Sequence, residues 1–538
     1  MAMTCGEAVM RLLGRYGLTK AFGIPGVHTL DLCRGLNLGA NAGGITHIQA
    51  RNEQGAGFMA EGWARCTGEV GLAIVISGPG VTNTATALGQ CYGDSLPFLL
   101  ISAEQPSYTI GKGWGVLHDI TEQKKVTEPL TALSATAYRA SDVPELLAQA
   151  FTIFASERPR PVHISIPIDV QQEMVDEEWL PVTLPTRPNA GKGLIDQAAQ
   201  MLKNAKAPVM IVGGGAAEAS AALTGIAETL GAVVVSSVIG KGIVDDNHPL
   251  HLAGALSQSP AQALLTAADV VLAVGTEIAE ADSYIERLDI PGDIIRIDID
   301  PRKINDFYPA KLGIVADANM AASTLLTALK THDGTDQRKV ATKQVASARA
   351  EYMANRAPFE VQHMRALAHL RTATPADTMF CGDACQIIYT ACFALPVSSP
   401  RNFTYPAGFC ALGNGLPNAI GAKMARPDQP IMAIVGDGGF MFTMPEIIVA
   451  AENKMPLPIL LWENGGLKQI RDDMDLRDIS RVGVEGINPD FEMLAKACHC
   501  HAVRPQNGQA FEDAIKTAFQ ADRPTLIILR ENDPWLVE

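Results

Sequence analysis

Apolar residues fall along this chain in short continuous runs, each closed by glycine or an acid and followed by a stretch whose apolar positions recur at helical spacing. Residues 21–26, 45–48, 70–77 and 98–102 read as strands in the amino-terminal third. Residues 208–215, 269–275 and 294–300 do so in the middle, and 431–435 and 459–462 near the carboxyl terminus. Thr82 and Asn83 read as a helix cap. Apolar strands alternating with amphipathic stretches belong to sheets covered by helices on both faces, so the predicted class is α/β, doubly wound and mainly parallel. Residues 176–191, with Pro181, Pro185 and Pro188, and the polar stretch 331–339 lack periodicity and read as linkers. They leave three α/β domains, at 1–175, 190–330 and 358–538.

Open α/β sheets bind ligands beyond the carboxyl ends of their strands, and there the chain places its most distinctive turns. The strand at 431–435 runs into Gly436-Asp437-Gly438-Gly439. Glycines let backbone N–H groups come close to an anion, and one carboxylate can hold a hard cation, a combination suited to a magnesium diphosphate. Thr443-Met444-Pro445-Glu446 has the form of a capping box with proline in the first turn, which predicts a helix from Thr443 to about residue 453. The following strand ends in Asn464-Gly465-Gly466. Asp437 and Asn464 would then offer oxygen ligands to one metal.

Together these turns resemble the GDG…N signature of thiamine-diphosphate-dependent enzymes, specifically the acetolactate synthase and 2-oxo acid decarboxylase superfamily. The resemblance implies thiamine diphosphate and Mg2+ as cofactors, with the metal held by Asp437, Asn464 and the Gly466 carbonyl, and Gly436, Gly438 and Gly439 around the diphosphate. It covers essentially the whole chain. The run Asn52-Glu53-Gln54-Gly55-Ala56-Gly57 resembles the family's catalytic-glutamate helix, which makes Glu53 the acid that hydrogen-bonds N1′ of the aminopyrimidine. The Pro25-Gly26 turn falls beside the cofactor's reactive carbon in this family, which turns His28 from a capping or solvent-facing residue into a catalytic candidate. His118 is a second candidate, in a glycine-rich loop, 111–119, suited to folding over a substrate. Gly382, Asp383 and Gln386 resemble the first diphosphate-contacting turn. Residues 409–422 resemble the segment that bends the cofactor, with Leu412 as the wedge and the Cys410 carbonyl meeting the 4′-amine. Residues 275–282 lack arginine where FAD-containing acetolactate synthases carry an Arg-Phe-Asp-Asp-Arg type motif, so no FAD is expected. Glu53 and Asp437 lie in different domains, which in this family meet across a dimer interface, so a homodimer or homotetramer with active sites between subunits is expected.

Segments 22–30, 111–118, 275–277 and 469–474 resemble a branch of 5-guanidino-2-oxopentanoate decarboxylases. A guanidinium calls for a carboxylate aimed bidentately at it, and Asp472, Asp473 and Glu463 are candidates that spacing does not separate. Glu463 stands where the family usually has Asn, Pro445 where it has Gln, and Trp114 where a basic residue is frequent. The implied activity is non-oxidative decarboxylation of a 2-oxo acid to an aldehyde. An acetolactate-synthase-type carboligase is the alternative, and a non-catalytic paralogue is a third reading that Glu53, Asp437 and Asn464 argue against.

Composition narrows the partners. The 538 residues are 47% hydrophobic and 19% charged, enough for a large core, and the net charge of −15 disfavours nucleic acid and anionic membranes. No apolar run reaches the ~18 residues of a membrane span, and the amino terminus lacks the basic and apolar regions of a signal peptide, so a cytoplasmic enzyme acting on a small 2-oxo acid is expected. Ten scattered cysteines fit reduced thiols. In Cys498-His499-Cys500-His501 the two residue types would point to opposite faces of a strand, so no metal site is expected there.

Overall fold

The apolar runs assemble into three six-stranded sheets, all parallel, in a computed structural model that describes residues 2–38 and 44–537. The amino-terminal sheet runs, in spatial order, Thr46–Gln49, Lys20–Gly23, Gly71–Val75, Phe98–Glu104, Val162–Pro167 and Leu133–Thr136. The central sheet runs His251–Leu252, Val233–Ser236, Pro208–Val212, Val270–Val274, Asp293–Asp298 and Leu312–Val315. The carboxyl-terminal sheet runs Phe403–Thr404, Met379–Gly382, Ile431–Gly436, Pro458–Glu463, Thr525–Arg530 and His501–Val503. Strands such as Phe98–Glu104 and Ile431–Gly436 are buried along their whole length, which is why they read as unbroken apolar runs.

Each sheet has a reversal of strand order near its middle, and that reversal opens a crevice at the carboxyl ends of two neighbouring strands. These pairs are Lys20–Gly23 with Gly71–Val75, Pro208–Val212 with Val270–Val274, and Met379–Gly382 with Ile431–Gly436. Register places Gly382 opposite Ile434 and Gly436 opposite Trp462, so the turns after residues 382, 436 and 463 emerge side by side.

The outer two domains share one core. A single apolar cluster runs from Phe22, Phe58 and Val75 of the first domain to Ile420, Val435 and Ile528 of the third. Helix Glu53–Thr67 lies against helix Gly415–Ala425, and a Cβ at Gly62 or Gly421 would overlap the Asn418 or Met59 carbonyl. Beside that contact a buried network joins the domains. Arg65 Nε donates to Glu61 at 2.7 Å and its guanidinium also meets Asp94, while Asn414 Nδ2 donates to Glu61 at 2.7 Å.

Three local expectations are corrected. The stretch at 331–339 is not all linker, since helix Thr335–Ala354 begins inside it. Helix Pro79–Gly93 starts ahead of Thr82, so Asn83 is within the helix and free to point into the protein. No capping box forms at Thr443 because the helix starts earlier, at Asp437–Thr443, and continues through Met444–Glu446 into Ile447–Glu452.

Candidate active site

Asp437 is the first residue of its helix, fully buried, immediately past the extended Gly436. Its Oδ1 accepts from Gly438 N at 2.9 Å. Its Oδ2 accepts from Gly465 N at 2.8 Å, Gly466 N at 3.1 Å and Asn488 Nδ2 at 2.7 Å. These bonds draw the turn after residue 463 onto the turn after residue 436, two of the segments expected to meet. The Gly466 carbonyl faces the same place, since a Cβ on Gly438 would sit 3.2 Å from its oxygen. The Asp437 carboxylate and the Gly466 carbonyl, with the Asn464 amide one residue before Gly465, are hard oxygen donors of the kind that suit magnesium. The residues present therefore fit a magnesium diphosphate. Among the described residues no group of three or more His, Cys, Asp or Glu could hold a metal. Asn488 was missed by sequence reasoning; it lies 51 positions beyond Asp437 in a segment with no motif.

Asp383 fastens the neighbouring turn. Its fully buried carboxylate accepts from Ala384 N at 2.7 Å, Gly413 N at 3.0 Å and Gly415 N at 3.4 Å. Burial pushes its pKa up to about 6, while the bonds from Ala384, Gly413, Gly415 and Asn414 pull the other way. Asp383 also packs 3.1 Å from where a Gly439 Cβ would lie. It thus ties Gly382 and Gly439 to the loop that carries Cys410 and Leu412. Cys410 holds a positive φ of 54° and is exposed, and Leu412 is half-buried. Gln386 opens helix Gln386–Ala394 and donates from Nε2 to Gln469 Oε1 and Asp472 Oδ2, both at 3.1 Å.

Glu53 is the first residue of helix Glu53–Thr67 and is buried. Asn83 Nδ2 donates to its Oε2 at 2.9 Å, leaving Oε1 without a side-chain partner among the described residues. Asn83, misread as a cap, is the group that orients Glu53. His28 and Ser77 meet across the crevice of the same sheet, with Nδ1 and Oγ 2.5 Å apart. His118 adopts a φ of 65°, and its ring stands edge-on to His28 with centroids 4.9 Å apart. Burial first, and the His118 charge second, hold the His28 pKa below its ordinary value, so His28 is neutral at pH 7. Pro25 precedes this cluster in an exposed turn.

The carboxylates considered for a guanidinium are not equally free. Glu463 Oε2 accepts from Arg504 Nη1 and Arg530 Nε, each at 3.1 Å. Burial raises its pKa, but those two bonds and charges outweigh it and hold the group below the ordinary carboxylate range. Asp472 is engaged by Gln386 and by Lys468 Nζ at 2.5 Å. Among the described residues the Asp473 carboxylate has only a 3.4 Å bond, from Gln469 Nε2. Trp114 is exposed, with Lys112 Nζ 5.9 Å from its ring centroid. In the Cys498–His501 tract both cysteines are buried in the core while His501 turns outward to Asp522 at 2.8 Å.

Comparison with known proteins identifies the family. Residues 3–126 match the thiamine pyrophosphate enzyme N-terminal TPP binding domain, 195–328 the central domain and 383–529 the C-terminal TPP binding domain. A probable 2-ketoarginine decarboxylase of Pseudomonas aeruginosa is 44% identical over 532 residues, covering 98% of this chain and 94% of that protein. The acetolactate synthase large subunit of Corynebacterium glutamicum is 30% identical, covering 98% and 86%. The large subunit of Escherichia coli acetolactate synthase isozyme 2 is 29% identical, covering 98% and 95%. With three matched domains and a relative similar from end to end, the chain belongs to the thiamine pyrophosphate enzymes.

Proposed function

We propose that this enzyme decarboxylates 5-guanidino-2-oxopentanoate (2-ketoarginine) non-oxidatively to 4-guanidinobutanal, using thiamine diphosphate and Mg2+. The single observation that carries the substrate is the 44% identity, over nearly all of both chains, to the probable 2-ketoarginine decarboxylase, against 29–30% to the acetolactate synthases. When bound, the cofactor supplies the electron sink that a 2-oxo acid needs to lose CO2. The chain's own residues bind and orient. Asp437, Asn464 and the Gly466 carbonyl hold the metal, with Gly436, Gly438, Gly439, Gly382, Asp383 and Gln386 around the diphosphate and Pro25, Cys410 and Leu412 around the rings. Glu53 Oε1, the oxygen that Asn83 leaves open, exchanges a proton with the aminopyrimidine N1′. His28 and its neighbour His118 accept or return protons at the reacting carbon, and the paired crowding of their rings supports that task. Asp473, the least engaged of the candidate carboxylates, receives the substrate's guanidinium.

The enzyme works as a cytoplasmic homodimer or homotetramer. Val27, Phe409 and Phe442, near the candidate cofactor turns, are each more than half exposed in the single chain, which supports a second copy covering them. The test is incubation of the purified protein with thiamine diphosphate, Mg2+ and a panel of 2-oxo acids. Release of CO2 with 4-guanidinobutanal, most efficiently from the guanidino acid, is expected. Acetolactate from pyruvate as the main product would overturn the proposal in favour of carboligation.

A further inference from the structure

The glutamate that sequence reasoning assigned to a capping box does cap a helix, but a different one. Glu446 is 1% exposed, and its carboxylate reaches out of the carboxyl-terminal domain to the amino-terminal domain. Oε1 accepts from Asn52 N at 2.9 Å and Arg51 N at 3.1 Å, and Oε2 also lies 3.1 Å from Arg51 N. Those two N–H groups immediately precede Glu53, at the end of helix Glu53–Thr67 where backbone donors lack intrahelical partners. Asn52 itself caps locally, its side chain accepting from Gln54 N at 2.9 Å. The carboxylate is packed as well as bonded, since a Cβ at Gly55 would overlap it. Arg51 adds an ion pair to Glu452, one helical turn and a half further along the same segment.

The opposite end of that segment is the magnesium-diphosphate turn. Helix Asp437–Thr443 and the turn Met444–Glu446 are continuous, and Thr443 Oγ1 donates to Gly413 O at 2.6 Å, beside the loop of Cys410 and Leu412. One short stretch of backbone therefore touches the diphosphate turn, the wedge loop and the amino end of the Glu53 helix. From these contacts we infer that Glu446 is a positioning residue: through Arg51 and Asn52 it sets where the Glu53 carboxylate stands in the amino-terminal domain's half of a between-subunit site, while the diphosphate turn on Glu446's own segment serves the other site of the dimer. A conventional N-cap would come from the residue next to the helix, and Asn52 already supplies one. A second acceptor from another domain adds registration between domains. Burial of Glu446 raises its pKa to about 7, opposed by the Arg51 and Asn52 bonds and by the Arg51 charge and reinforced by Glu53.

The inference rests on Glu53 acting at the cofactor, and its test keeps the two claims apart. In the full-length holoenzyme, Glu446→Gln removes the anionic acceptor at nearly constant shape. A small misplacement of a catalytic group costs about 100-fold, so kcat should fall by roughly 10–100-fold while KM, cofactor affinity and Tm stay close to the parent values. The near-ultraviolet circular dichroism of bound thiamine diphosphate, which reports the tautomer of its aminopyrimidine, should change in parallel. Gly55→Ala keeps the carboxylate but pushes on it and should give the same split, and the double variant should lose no more than the worse single one. Parental kcat and dichroism in Glu446→Gln would overturn the inference. Should that variant not fold, Gly55→Ala decides in the same way: lowered kcat with an intact Tm upholds it, parental kcat overturns it. Full activity in Glu53→Gln would instead defeat the functional reading beneath it.

Discussion

The crevices of the central and carboxyl-terminal sheets arise from the same reversal of strand order, yet different chemistry borders them. In the central sheet the glycines of the turn after Val212 are spent on the neighbouring strand, with Gly213 N donating to Val274 O and Gly215 N to Gly275 O, each at 3.0 Å. The charged groups beside it pair with one another, Arg158 reaching Glu277 and, at 3.0 Å, Asp298. In the carboxyl-terminal sheet Asp383 N makes the equivalent bond to Ile434 O at 2.9 Å, but the turns after residues 382 and 436 are tied further through carboxylates, Asp383 and Asp437. Topology provides a crevice in both. Side-chain chemistry sets what borders it: in the central domain a cavity of about 260 Å³ lined by Gly213, Gly275, Glu277 and Asp298, in the carboxyl-terminal domain turns held by Asp383 and Asp437.

Four substitutions would break or sharpen that contrast. Glu53→Gln should have the largest effect: turnover should fall by about 100- to 10,000-fold with cofactor binding retained, read by kcat beside a thiamine diphosphate titration. Asp437→Asn should weaken Mg2+ binding by more than the roughly 10–100-fold that loss of an outer-shell partner costs. A metal titration after chelation checks it, and added Mg2+ should restore only the parent enzyme in full. Asp298→Asn, in the central crevice, should cost about 1–3 kcal/mol of stability because two carboxylates still face Arg158, and should leave cofactor affinity unchanged. Urea unfolding beside the cofactor titration tests both halves. Glu463→Asn should be the mildest: its pairs with Arg504 and Arg530 are partly exposed and worth at most about 1 kcal/mol, so Tm should shift by a few degrees and cofactor affinity not at all.

Much of the outer two domains could be read before any coordinates, because fully buried parallel strands leave unbroken apolar runs and because their carboxyl-end turns need glycine and acid at fixed places. Gly436 to Gly439 and Asn464 to Gly466 are legible for that reason. What escaped depends on distance along the chain. Asn488 reaches Asp437 from a loop without periodicity, and Glu446 meets Arg51 across 395 positions. Thr443 to Glu446 matched a capping box in spelling, but the helix had already begun at Asp437, so both polar side chains were released for other partners: Gly413 for Thr443, and the Glu53 helix for Glu446. The role given to Asn83 failed for a similar reason, since Pro79 starts the helix earlier than the polar pair suggested.

The backbone contact between helices Glu53–Thr67 and Gly415–Ala425 carries a consequence for modularity. Two domains that meet through glycines, share one apolar cluster and bury Glu61, Arg65 and Asp94 between them have no solvent-ready face to present when parted. Though separated in the gene by the whole central domain, they should unfold as one cooperative unit. Fission of the chain into independently expressed thirds would leave the first and last insoluble unless they were made together.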